Sequence, residues 1–84
     1  MTHTVRSKQI MKAFGERLRK IRIDANFSEA EEFARALGLE RMRYNYYELG
    51  ERFPPPDVLE RIVLITRQDL SWLILGKTTD KKRS

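Results

Sequence analysis

The 84-residue chain has no cysteine and a single histidine, His3. Disulfides, thiolate metal sites and cysteine nucleophiles are thereby excluded, and imidazole chemistry has one group near the N-terminus to work with. Long apolar runs are missing too. Stretches such as Ile62-Val63-Leu64-Ile65 fall far short of the roughly 20 residues that span a bilayer. No apolar segment follows Arg6 and Lys8, so no secretory signal is read there. The expectation is a soluble, cytoplasmic protein with no membrane partner. There is no glycine-rich phosphate loop and no zinc-ligand spacing. The adjacent acids Glu31 and Glu32 have no nucleophile, histidine or metal partner, so they read as helix-capping charge. No enzyme activity and no cofactor are expected.

Charge is abundant and unevenly spread. Charged residues make up 35% of the chain, and the formal net charge is +5. A basic balance of this size suits a polyanionic partner, and it also suits plain solubility. From Met1 to Arg22 seven bases face one acid, Glu16. From Ile23 to Glu40 five acids face one base, Arg35. Basic residues return at Arg41 and Arg43 and again in the tail from Lys77.

The apolar spacing predicts five short helices and no strand. Residues 9–24 form an amphipathic helix with Ile10, Phe14, Leu18 and Ile21 on one face, and Asn26 terminates it. Ser28 offers an N-cap with Glu31 three residues on, the pattern of a capping box. Ala30, Phe33, Ala34 and Leu37 make the stripe of the second helix, which Gly38 stops. A third helix begins near Glu40 or Arg41 and ends at Gly50. Tyr44 and Tyr47 mark its inward side, leaving Arg41, Met42, Arg43, Asn45 and Tyr46 on the others. Pro54 to Pro56 belong to a loop, so a fourth helix starts near Pro56 or Asp57. Val58, Leu59, Ile62 and Ile65 face inward from it. Asp69 caps a fifth, closed by Gly76. The expected layout is a flexible basic N-terminus over 1–8, a helix-turn-helix domain over 9–76 and a flexible basic tail over 77–84.

Two short helices joined through Gly38-Leu39 match the geometry in which a second helix enters the major groove. Four segments in order strengthen the match: Phe-Gly-Glu-Arg-Leu-Arg at Phe14–Arg19 with Arg22, Phe-Ala-x-x-Leu-Gly-Leu at Phe33–Leu39, Tyr44-x-x-Tyr-Glu-x-Gly-x-Arg ending at Arg52, and Leu-Ser-Trp-Leu-Ile-Leu-Gly at Leu70–Gly76. With them the chain resembles the lambda-repressor/Cro-like (XRE) helix-turn-helix family. The resemblance implies an all-α, compact five-helix bundle and a bacterial or phage-type transcriptional regulator, a repressor, that binds double-stranded DNA as a homodimer.

Carried over by position, the resemblance makes Arg41, Met42 and Tyr46 readers of base edges. Arg43 and Arg52 become phosphate contacts, with Ser28 near the DNA backbone. Asn45 can reach a base edge or a phosphate. Arg22 and Glu48 match a pair that ties the first helix to the recognition helix. Trp72, Ile74 and Leu75 are expected at a dimer interface, with Trp72 also readable as core. The chain departs from the pattern at Glu29-Ala30-Glu31, where many relatives carry glutamine in the first turn of the second helix. It departs again at Arg67-Gln68, where relatives tend to have glycine and a buried aliphatic residue. The acidic second helix leaves an alternative: an antitoxin-like or adaptor module acting mainly through a protein partner.

Overall fold

The computed structural model describes residues 5–77. His3 and most of the basic tail lie outside the described residues. Five helices follow one another, α1 (Val5–Asp24), α2 (Ala30–Leu37), α3 (Arg41–Leu49), α4 (Pro56–Thr66) and α5 (Leu70–Leu75), with no strand among the described residues. The class is all-α, as the spacing predicts.

The first helix is longer than expected. It is helical from Val5 rather than from Gln9, so Val5 to Lys8 are part of α1. Its inward face also differs by one position. Met11, Phe14, Leu18 and Ile21 are buried, while Ile10 is only half-buried. The spacing 11, 14, 18, 21 follows the narrow seam of one helix packing on another. Asn26 ends the segment with a left-handed φ of 73°.

The capping box at Ser28 does not form. Glu29 is the N-cap residue of α2, and no side-chain cap hydrogen bond is made. The reason lies in the loop before it. The Arg22 guanidinium donates to the carbonyls of Phe27 and Ser28, both at 2.8 Å, which keeps Ser28 in the loop and delays the helix by one residue. Phe27 packs on Phe33 with ring centroids 5.0 Å apart and fixes the entry angle. Asp69 does cap α5, accepting from the Trp72 amide at 2.9 Å. The turn before α5 forms despite Arg67 and Gln68. Arg67 takes the left-handed conformation itself, φ 63°, as C-cap of α4, and the Thr66 hydroxyl and Gln68 side-chain carbonyl accept the next two amides.

One core joins these helices: Phe14, Leu18 and Ile21 of α1, Phe33, Ala34 and Leu37 of α2, Tyr44 and Tyr47 of α3, Val58 and Ile62 of α4, and Leu73 of α5. Trp72, Ile74, Leu59 and Ile65 are partly buried against it. Arg17 latches α5 to α1, its Nε donating to the Leu73 carbonyl at 2.9 Å and its Nη2 to the Ile74 carbonyl at 2.8 Å. Those are carbonyls that a six-residue helix leaves unpaired at its C-terminal end.

Two glycines let α1 lie directly on the end of α3. A Cβ on Gly15 would sit 2.3 Å from the Glu48 carbonyl oxygen, and one on Gly50 would sit 2.6 Å from the Lys12 Cα. Both obstacles are backbone, so neither can step aside. Gly15→Ala is therefore expected to destabilise the domain although alanine is the better helix former. Overpacking of about 1–3 kcal/mol or more outweighs a propensity gain of about 1 kcal/mol. A thermal melt should show a lower Tm, and an unchanged or higher Tm would contradict the close approach.

Candidate nucleic-acid interface

The interface candidate is built on α2, the turn at Gly38-Leu39 and α3. Gly38, with φ 77°, returns its amide to the last carbonyls of α2, and the Leu39 amide bonds the Ala34 carbonyl at 2.8 Å. Leu39 is half-buried against the core. The Phe33 and Tyr44 rings meet edge to face at 5.4 Å and 86°, which sets the angle between the two helices.

Beneath this pair lies a buried polar cluster. Arg22 is 5% exposed. Its Nε donates to Glu48 Oε2 at 2.6 Å, and the Tyr44 hydroxyl donates to the same oxygen. With the two loop carbonyls, Arg22 joins α1, the start of α2 and the last turn of α3. Burial lowers the pKa of the Arg22 guanidinium, but the hydrogen bond and charge of Glu48 outweigh it and the net direction is upward. Burial is the larger cause pushing the Tyr44 hydroxyl well above the usual tyrosine range, and the Glu48 carboxylate adds to it. Removing one partner of such a buried pair costs about 3–5 kcal/mol, because it leaves a charge uncompensated.

The opposite side of α3 is open. Arg41, Met42 and Arg43 occupy its first turn and are all exposed, Met42 at 67%. Arg41 forms no ion pair among the described residues. Arg43 is partly anchored, its Nε donating to the Tyr47 hydroxyl at 3.0 Å, so its terminal amino groups remain available. Tyr46 is half-buried, and the Arg52 guanidinium stacks over its ring at 4.5 Å. The aromatic face thus orients Arg52, which the turn after Gly50 would otherwise leave free. Asn45 is half-buried and Ser28 exposed.

The N-terminal end of α2 is acidic. Glu29, Glu31 and Glu32 are exposed, and Glu31 has a loose i,i+4 pairing with Arg35 at 3.7 Å. Ala30, not a polar residue, holds the first helical position. Of the residues expected at a dimer contact, Trp72 and Ile74 are half-buried against the protein's own core, while Leu75 is 53% exposed.

Three contributors escaped sequence reasoning. The Tyr44–Glu48 bond was within reach, since i and i+4 share a helix face. The Tyr46–Arg52 stack and the Arg17 latch carry no local signal, because each depends on how separate elements meet.

The chain matches the helix-turn-helix domain over residues 15–78. It belongs to that family. No curated protein and no solved structure matches it. The matched span starts at Gly15, the point of contact between α1 and α3, and takes in both helices of the motif. No helix among the described residues is long and apolar enough to cross a membrane.

The Tyr44 hydroxyl gives the domain an alkaline limit. Its folded pKa lies above that of the unfolded chain, about 10. The stabilisation is complete below pH about 10 and is lost above it, as the unfolded state sheds a proton that the folded state keeps. Chemical denaturation across pH 8–11 should show this loss, and Tyr44→Phe, though weaker at neutral pH, should lose less over the same range. Parallel slopes for the two proteins would refute it.

Proposed function

We propose that this helix-turn-helix domain is a sequence-specific transcriptional regulator, a repressor, reading the major groove of double-stranded DNA with α3. It acts in the cytoplasm on nucleoid DNA and binds as a homodimer to a two-fold site with half-sites about one helical turn apart. The observation that carries the reading is the exposed Arg41-Met42-Arg43 turn, backed by the buried Arg22–Glu48–Tyr44 cluster. A helix that enters a groove needs long donors on its open side and a rigid attachment on the other, and α3 has both.

In this proposal Arg41 donates two hydrogen bonds to a guanine edge, and Met42 meets a thymine methyl. Tyr46 contributes its ring edge to base contact while its face steadies Arg52. Arg43, Arg52, Asn45 and Ser28 hold phosphates, which fix register without reading sequence. Binding to a pool of genomic fragments over a salt series is the direct test. Arg41→Ala should lose about 1–3 kcal/mol of discrimination at one base position, whereas Arg43→Ala should weaken binding to all fragments and lower the salt slope by about one. Equal affinity of the parent protein for every fragment would sink the specific reading.

The acids of α2 act against this function rather than for it. A helix N-terminus is a natural phosphate seat, and here Glu29 occupies the N-cap position without a side-chain cap hydrogen bond. Glu29→Gln should therefore tighten DNA binding several-fold at low salt, with the gain shrinking as salt screens it. If the substitution leaves DNA affinity unchanged and a stoichiometric protein partner co-purifies with the chain, the adaptor or antitoxin-like alternative takes precedence.

A further inference from the structure

Apolar side chains stand on the open sides of two helices. On α4 they include Leu64, 65% exposed. On α3 they form a row with charge arranged around it. Met42, Tyr46 and Leu49 stand at i, i+4 and i+7, which puts them on one face of the helix. Tyr44 and Tyr47 are buried on the other. Met42 is 67% exposed and Leu49 62%. Tyr46, between them, is half-buried with the Arg52 guanidinium over its ring.

The row is bracketed by cations. Neighbours on a helix are turned by about 100°, so Arg41 and Arg43 fall to either side of Met42, and both are exposed. At the far end Leu49 shares a shallow hollow with Lys8 and Lys12 of α1 and with Glu51. Both lysines are exposed, and neither forms an ion pair among the described residues. Glu40 and Glu51 are exposed at the two ends of α3. The acid within the helix, Glu48, is turned inward to Arg22. The cations outnumber the exposed acids, so the row matches a polyanion that carries apolar groups at its centre.

Duplex DNA has that combination. Phosphates wall the major groove, and the apolar group among the base edges on its floor is the thymine 5-methyl. From Met42 to Leu49 the helix advances about 10 Å, the height of about three base pairs at roughly 3.4 Å each. We infer that Leu49 is a specificity-determining residue, which together with Met42 and Tyr46 selects thymine methyls spread over about three base pairs of the bound site. The inference deepens the DNA reading proposed above and rests on it.

Deoxyuridine replacement tests it, because uracil lacks the methyl group and keeps the hydrogen-bonding edge of thymine. Duplexes selected from random DNA by the full chain should contain thymines beneath the row, and these are replaced one at a time. Each lost methyl contact should weaken binding about fourfold, the effect of leaving one such group in water. Leu49→Ala should bind thymine and uracil equally at one position and keep the preference at the others. Met42→Ala should do the same at a different position, about three base pairs away. Leu49 is exposed, so Leu49→Ala should keep the helical circular dichroism of the parent. Equal affinity for thymine and uracil at every position would overturn the inference and leave selective DNA binding standing. A preference that survives Leu49→Ala at every position would do the same. Failure to bind any duplex would overturn the DNA reading and this inference with it.

Discussion

Glu48 accepts from two donors that come from different places. Arg22 arrives from the end of α1, and Tyr44 lies one turn back on α3. Arg22 in turn holds the loop carbonyls that lead into α2. One carboxylate therefore fixes three elements relative to each other. A buried ion pair is a weak contributor to net stability, because desolvation offsets attraction. Its value here is geometric. An arginine without its acceptor, or a carboxylate without its donor, would be a buried charge, so few other arrangements of α1, α2 and α3 are open to the chain.

The rest of the architecture follows from that constraint. With the last turn of α3 tied down, its first turn is free to project, and Arg41, Met42 and Arg43 stand in solvent. Gly15 and Gly50 permit the close crossing of α1 and α3 that the cluster needs. Phe33 against Tyr44 sets the interhelical angle from the apolar side. Arg17 then carries the order outward to α5, closing a helix too short to persist without packing. The division is clean: one side of α3 is occupied by structure, the other presents donors.

Much of this was legible in the residues. The five helices, the stops at Gly38, Gly50 and Gly76, the Asp69 cap and the inward tyrosines follow from period and punctuation. The misreadings are equally physical. Ser28 has the right chemistry for a cap and the right spacing to Glu31, but its carbonyl is held by Arg22, a tertiary contact that no local pattern announces. Ile10 gives way to Met11 because the seam is set by what α1 packs on, not by α1 alone. The start of α1 at Val5 was missed because no apolar period extends into that turn.

The sequence by itself determined the helical class, the family and the chemistry available on α3. Those depend on side-chain types and on spacing along one chain, and both are written in the residues. Only the tertiary structure decided that Tyr44 shares an acceptor with Arg22, that Tyr46 lies under Arg52, and that α4 keeps an apolar stripe facing outward. Each is a question of which surfaces meet, and that is settled by packing the helices together: a helix with apolar residues on two sides can bury only one of them in a domain this small.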